Sequence, residues 1–435
     1  VPRRFRSARE AEAYVLGFLN YETKNRYERR TRTHDLAAFK SRLIRAGWLE
    51  GAVPTVHVSG TNGKGTVAAL LERILRAGGM RTGLYASPHL IDIRERISIQ
   101  GRMIPARAFA RGMEHLAEVF GGDAEAGFRT VFEHLTALAL LAFQHARVDR
   151  AVVEVGLGGR LDATNILPAG PAVLTPISLD HQHVLGDSLV AIAEDKARIL
   201  KPGGRGFVMP QPEEAAEAIR RAASAAGVSL TATDREVAVE TVGVRPGGID
   251  VEVRGRELYG RVRTRLLGRH QEQNIAAAVA VAEHLLSPES LGEAVRRGLR
   301  GARLAGRLEP RRIRGRACLV DGGHNPGAAA ALAETLRSHY PAARIGALIG
   351  MPRYKDHRAY LSRLAPLVER FVFARADYPR ATDPARLLQA SGRREDRSAS
   401  SIEAGVEELW RGRFDLILIA GSFVFAGEVL QKLRR

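Results

Sequence analysis

The chain has 435 residues, enough for two or three domains around a sizeable core. Hydrophobic residues make up 45% and charged residues 26%, which excludes disordered, collagen-like and disulfide-scaffold classes. The formal charge of +18, from 66 basic against 48 acidic residues, by itself points to nucleic acid or an anionic membrane surface.

Only seven of the basic residues are lysines (Lys24, Lys40, Lys64, Lys196, Lys201, Lys355 and Lys432), and the rest are arginine. A lysine that survives such a bias marks a candidate site for an amine. The single cysteine, Cys318, cannot form an internal disulfide, which fits a reducing cytoplasm. Within the apolar run Ala317–Val320 it reads as a buried, inert thiol. The longest apolar stretch, Leu135–Phe143, falls well short of the ~18–20 residues of a membrane helix. The first residues, Val1–Ser7, carry no signal-peptide core, and the non-Met start reads as a trimmed one.

In chain order, the first half predicts strands at Thr55–Ser59, Thr82–Ala86, Arg150–Val155, Ala172–Pro176 and Gly206–Met209. Helices are predicted at Lys64–Ala77, Pro105–Phe120, Val131–Gln144, Leu189–Leu200 and Glu213–Ala226. This alternation implies an α/β fold with a mostly parallel sheet covered on both faces. Around Glu236–Thr264, valine alternation broken by Gly247-Gly248 and Gly255 predicts a small antiparallel sheet. Helices at Gln271–Leu286 and Leu291–Leu299 follow. The Gly- and Arg-rich segment Gly301–Gly315 reads as a linker.

Beyond it the alternation restarts. Strands are predicted at Ala317–Asp321, Ile345–Ile349, Phe371–Ala374 and Asp415–Ala420. Helices are predicted at Pro326–Ser338, Asp356–Val368, Ile402–Arg411 and Val424–Leu433. The expected organisation is two α/β domains, residues 1–301 and 302–435, the second Rossmann-like.

The strongest local signal is the run Val56–Thr66, a strand leading through a glycine-rich turn into a helix. Gly60, Thr61, Asn62, Gly63 and Gly65 would aim backbone N–H groups and a helix N-terminus at an anion. Lys64 supplies a point charge for nucleotide phosphates, and Thr66 a hydroxyl for Mg²⁺. The spacing is not that of a standard Walker A loop. Glu154, embedded in a valine run, is costly to bury unless paired or metal-bound, and it completes a candidate metal site.

These residues resemble one family. Gly60–Thr66 resembles the Gly-Thr-Asn-Gly-Lys-Gly-Thr/Ser loop of the Mur ligase superfamily. With Ser87-Pro88-His89-Leu90, Glu154–Asn165, Leu179-Asp180-His181 and Asp321–Pro326, in that order, the chain is similar to folylpolyglutamate synthases and bifunctional dihydrofolate synthases. The resemblance runs from about Leu19 to Leu430.

It implies ATP-dependent joining of L-glutamate to a reduced folate, or to dihydropteroate, through an acyl phosphate. Thr66, Ser87 and Glu154 then resemble ligands of a first Mg²⁺, and His181 a ligand of a second. Lys196, in Ala193-Glu194-Asp195-Lys196, resembles a lysine that is carbamylated to serve as an anion. Asp195 and Arg198 depart from the family's Glu and Gly. Asn274 resembles an adenine-reading residue and Arg307 an arginine that reaches the triphosphate. Asp321 and His324 resemble contacts to ribose and γ-phosphate, and Lys355-Asp356 also fits the pattern.

On the folate side the resemblance points to Pro88, His89, Phe132, Glu133, Leu161, Asp162 and Ala163. Ser422 is assigned near the glutamate. Thr130 and Glu133 also form a capping box on their own evidence. The resemblance further implies a monomer with small-molecule partners, without nucleic acid or membrane.

Two other readings compete. Another Mur-type amide ligase shares the phosphate loop. A nucleic-acid-coupled ATPase would use the arginine cluster between Arg296 and Arg316, but no aromatic residue interrupts that cluster to stack on bases.

Overall fold

The computed structural model describes residues 4–20, 35–120 and 130–433; Lys24 lies outside them. Eight strands form the larger sheet: β1 (Thr55–Ser59), β2 (Thr82–Tyr85), β3 (Ile97–Ile99), β4 (Arg102–Met103), β5 (Arg150–Glu154), β6 (Pro171–Leu174), β7 (Arg205–Val208) and β8 (Ser229–Ala232). Their order is β4-β3-β2-β5-β1-β6-β7-β8. The β2–β3 and β3–β4 pairings are antiparallel. All the others are parallel.

Central β1 is buried along its whole length because helices cover both faces, so it reads as a continuous run rather than an alternating one. Val56, Val58 and Val152 point into one core, with the helices Lys64–Ala77 and Gln271–Leu285. Ala151 and Val153 point into the other, with the helices Ala106–Phe120 and Val131–His145. The predicted capping box is present: Glu133 N–H donates to Thr130 Oγ1 (3.0 Å) and Thr130 N–H to Glu133 Oε2 (2.8 Å).

The small sheet expected at Glu236–Thr264 is there, as antiparallel β9 (Ala238–Arg245), β10 (Gly248–Arg254) and β11 (Leu258–Arg263). The last sheet contains β12 (Glu309–Ile313), β13 (Arg316–Asp321), β14 (Ile345–Ile349), β15 (Arg370–Phe373), β16 (Arg397–Ser398) and β17 (Leu416–Ala420). Its order is β12-β13-β17-β14-β15-β16, parallel except for β12.

Strand β12 corrects the linker reading of Gly301–Gly315. Ile313 pairs with Arg316, so Arg314 and Gly315 form a two-residue hairpin loop. Both have positive φ (46° and 78°), which suits the right-handed twist of the strands they join. An arginine-rich edge strand carries too few apolar residues to announce itself. The N-terminal helices Ala8–Leu16 and Leu36–Arg45, capped by Ser7 and Asp35, also went unpredicted. Cys318 is buried as expected, and burial pushes its thiol up to about 12. Among the described residues no helix is long and apolar enough to cross a membrane.

Parallel pairing brings functional loops to one edge. Val58 is in register with Glu154, and Tyr85 with Val153, so β1, β5 and β2 end together. In the last sheet Asp321 is in register with Ala420, and Ile349 with Ala420. Both sets of carboxyl ends face one cavity.

Helix Lys64–Ala77 depends on a close approach by the helix Pro288–Leu299. A Cβ at Gly298 would lie 2.7 Å from Ile74 Cα. Gly298→Val should therefore lower stability by about 1–3 kcal/mol, read from urea denaturation.

Candidate active site

The phosphate loop leaves β1 in a conformation only glycine accepts cheaply. Gly60 has φ 141°, and a Cβ there would lie 2.6 Å from the Thr175 carbonyl oxygen. Thr61 and Asn62 donate their backbone N–H groups to Pro176 O (3.0 and 3.2 Å). Gly63, at φ 88°, starts the helix Lys64–Ala77 with no side-chain cap. The first helical N–H groups are therefore left for an anion. Lys64 Nζ donates to Thr61 O at 3.2 Å, folding the amine back over the loop.

Around this loop stand the other expected residues. Glu154 is 2% exposed and accepts from Ser87 N–H at 2.9 Å. Burial raises its pKa, and the charges of Lys64 and Arg307 pull it back. A Cβ on Gly65 would lie 2.5 Å from Arg307 Nη2 and 3.0 Å from Glu154 Oε2, so all three meet beside the loop. Arg307 also lies over the Phe423 ring, 4.9 Å from its centroid. Thr66 is buried next to them. Asn274 donates to Gln271 Oε1 (3.0 Å), with its own oxygen facing Gly63.

Lys196 is 4% exposed and donates to Gly60 O at 2.8 Å. Burial, then the neighbouring Lys64, lowers its pKa to about 7. Asp195, where the family pattern has Glu, accepts from Gly159 N–H at 3.0 Å and so ties the Gly156–Arg160 turn to the lysine's helix. Burial lowers His181 to about 3 and His324 to about 4, so both rings are neutral near pH 7.

The second sheet closes the cavity. Asp321 accepts from Leu308 N–H and Gly323 N–H, both at 2.9 Å, which fixes the chain at Arg307. Lys355 Nζ donates to Asp180 Oδ1 at 2.7 Å, with side-chain exposures of 6% and 13%. Burial would raise the Asp180 pKa, but His181 and Lys355 hold it below the usual carboxylate range. Asn325 Nδ2 donates to Asn62 Oδ1 (3.2 Å) and Asp180 Oδ2 (3.3 Å). These contacts join the phosphate loop to the last sheet.

The cavity has a volume of about 610 Å³ and touches nearly every predicted residue. Gly60, His89 and Lys196 are not on its wall. Gly60 and Lys196 support the loop from behind. His89 instead accepts from Arg96 Nε at 2.9 Å. Asp162 lines the wall, but its oxygens already accept from Leu157 N–H (2.9 Å) and Thr164 N–H (3.0 Å). Phe132 lies against Gly156, and Ser422 receives Phe425 N–H at 3.1 Å. Sequence reasoning gave no role to Asp180 or Asn325, although both lay in motifs it singled out. Arg380 carried no sequence signal at all.

Residues 58–282 match the Mur ligase middle domain and residues 306–423 the Mur ligase glutamate ligase domain. The chain belongs to the Mur ligase family. It is 30% identical to the dihydrofolate synthase/folylpolyglutamate synthase of Bacillus subtilis, over 99% of this chain and 100% of that one. A probable bifunctional folylpolyglutamate synthase/dihydropteroate synthase of Halobacterium salinarum is 33% identical over 87% of this chain. The chain spans only 47% of that longer relative.

The Mycobacterium tuberculosis folylpolyglutamate synthase complexed with ADP superposes with a TM-score of 0.85, at 30% identity and 98% coverage of both chains. The Escherichia coli relative in complex with DHPP and ADP gives 0.82, at 28% identity and 100% and 99% coverage. Within the Mur ligases, the chain therefore groups with the dihydrofolate and folylpolyglutamate synthases.

The Asp180–Lys355 pair predicts a measurable cost. Lys355→Met should destabilise the protein by about 3–5 kcal/mol, because it strands a buried carboxylate. Adding Asp180→Asn should recover most of that loss, as a double-mutant cycle of urea midpoints would show.

Proposed function

We propose that this chain is an ATP-dependent ligase that joins the amine of L-glutamate to a carboxylate of a reduced folate or of dihydropteroate. One observation carries the reading. An uncapped, cation-lined phosphate loop faces, across a single cavity, the loops of a second sheet that can bring another substrate to it. Family membership supports the substrates.

In the first step the acceptor carboxylate oxygen takes the γ-phosphoryl group of ATP, and ADP leaves. In the second, the glutamate nitrogen attacks the acyl carbon. Phosphate departs with the former carboxylate oxygen, and the amine gives up a proton. Negative charge moves over crowded oxygens throughout, so catalysis rests on positioning and on fixed cations. Lys64, the loop N–H groups and Arg307 hold the phosphates. Asn274 and Asp321 hold the nucleoside, and His324 faces the phosphates from the second sheet. Pro88, Phe132, Glu133, Leu161 and Ala163 form the folate wall, and Ser422 stands toward the glutamate.

The donor set fits Mg²⁺. Thr66, Ser87 and Glu154 offer hard oxygens with a single carboxylate, which leaves room for phosphate and water. Among the described residues there is no cluster of three or more His, Cys, Asp or Glu that would make an all-protein metal cage. When bound, the ion would neutralise phosphate charge. A second ion would need His181, neutral as a ligand must be, and an anionic Lys196. An amine with a pKa of about 7 is substantially unprotonated at neutral pH, and that form can attack carbon dioxide, releasing a proton, to give a carbamate.

The middle and ligase segments, matched up to 282 and from 306, support a boundary at 301/302. A cytoplasmic monomer completes the reading, and sedimentation in solution tests the monomer.

Three measurements check the proposal. Phosphate release should require ATP, L-glutamate and either tetrahydrofolate or dihydropteroate together; release with neither acceptor, or from ATP alone, contradicts it. Lys64→Ala should cut kcat by about 10²–10³-fold, the scale of losing one preorganised oxyanion donor. Equilibrated with ¹³C-bicarbonate, the protein should show a carbamate carbon that strengthens from pH 6 to pH 8, as Lys196 loses its proton. Lys196→Arg should lack that signal.

A further inference from the structure

Strand β1 reads Thr-Val-His-Val-Ser, and its polar residues Thr55, His57 and Ser59 share one face. His57 is in register with Val153 and so faces the second core, which also holds Ala163, Ile166 and Leu167. An apolar side chain would fill that position at no polar cost. A buried imidazole is unfavourable there unless its N–H group is satisfied. His57 is 5% exposed, and its Nε2 lies 2.8 Å from Thr164 Oγ1. The buried Thr164 hydroxyl in turn meets Asp162 Oδ1. Ser59 Oγ donates to Gly158 O at 3.0 Å. Two side chains of one strand thus grip a single stretch of chain, from Gly158 to Thr164, that runs along the cavity.

The directions of these bonds follow from a proton count. Asp162 also receives the N–H groups of Leu157 and Thr164, so its carboxylate is the acceptor throughout. Thr164 has one hydroxyl proton, and Asp162 takes it. The contact with His57 must then be donated by His57, as Nε2–H. Burial lowers the His57 pKa to about 3, so the ring is neutral near pH 7 and has one N–H to give. The result is a directed chain, from His57 Nε2–H through Thr164 Oγ1–H to Asp162 Oδ1. It runs from the centre of the first sheet to the cavity wall. Lys201 Nζ holds the far end of the same loop, donating to Asn165 O at 2.6 Å and to Leu167 O.

His57 itself is not on the cavity wall, whereas Leu161, Asp162 and Ala163 are. It can therefore reach a substrate only through the loop it holds. We infer that His57 is a positioning residue for the acceptor: through Thr164 it fixes the Asp162–Ala163 segment of the wall on which the acceptor lies. This assignment rests on the ligase reading above.

The test begins with wild-type protein, acceptor, ATP and L-glutamate. Wild-type protein that makes no glutamylated product overturns the ligase reading and this assignment with it. Given wild-type activity, His57→Leu should raise the acceptor KM by about 3- to 10-fold, the scale of one buried hydrogen bond. The KM values for ATP and L-glutamate should stay within about twofold of wild type, as should kcat at saturating acceptor. His57→Gln, whose amide can donate to Thr164, should recover most of the loss. Thr164→Val should raise the acceptor KM at least as much as His57→Leu. The double variant should lie within about twofold of Thr164→Val alone, because both changes cut the same chain.

An unchanged acceptor KM overturns the inference. A matching rise in the ATP KM also overturns it, by showing that the nearby phosphate loop was disturbed instead. Effects of His57→Leu and Thr164→Val that multiply in full overturn the route through Thr164. One measurement needs no loss of the hydrogen bond. In protein with ¹⁵N-labelled histidine, the ring resonances that His57→Gln removes should be those of a neutral Nε2–H tautomer at pH 7. An Nδ1–H tautomer or a charged ring there overturns the directed chain.

Discussion

Gly60 approaches the Thr175 carbonyl so closely that no side chain could stand between them, and the rest of the site is arranged around that contact. It lets the loop after β1 lie against the loop after β6. There Pro176 O receives two loop N–H groups, and Gly60 O receives the buried Lys196 amine. The phosphate loop is therefore shaped by its neighbours, while the N–H groups at its helix end stay available. A loop that satisfied itself internally would have nothing left with which to bind an anion.

The same economy explains how two sheets make one site. Each sheet is mainly parallel, so each presents its loops at a single edge. The contacts that join the edges are both polar and apolar: Asp180 with Lys355, Asn325 with Asn62 and Asp180, and Leu90, from the loop after β2, buried in the apolar core of the last sheet. Three of the polar partners, Asp180, Asn62 and Asn325, lie within a few residues of groups proposed to hold nucleotide or metal. Any relative movement of the sheets would thus be sensed at the phosphate loop. The excess positive charge of the chain is not concentrated at the cavity. Lys64, Arg307 and Arg380 line the cavity together with Asp35, Glu133, Glu154, Asp162, Asp180 and Asp321, and each of these acids is already engaged with a protein donor. The substrates proposed for it are all anions.

Much of this was legible in the sequence. Glycine spacing after an apolar strand located the phosphate loop, and β-branched runs located β1, β5 and β14 because strands buried on both faces are uniformly apolar. Thr130 and Glu133 announced their capping box by spacing alone. Long-range pairings were not legible. No local pattern tells Asp180 that Lys355 will be its partner, 175 residues away. Arg380 is one arginine among many, and only the bridged loops after β14 and β15, which bury it at the cavity, set it apart. Strand β12 was hidden for a related reason, because arginine can sit at an edge exposed to water without an apolar alternation to betray the strand.

The central claim is that the acceptor carboxylate is phosphorylated before the amine attacks. Acceptor labelled with ¹⁸O in its reacting carboxylate tests this directly, by mass analysis of the inorganic phosphate released during turnover with L-glutamate. The account predicts one ¹⁸O in each phosphate formed, because the carboxylate oxygen leaves with the phosphoryl group. Unlabelled phosphate, formed alongside glutamylated product, would contradict it.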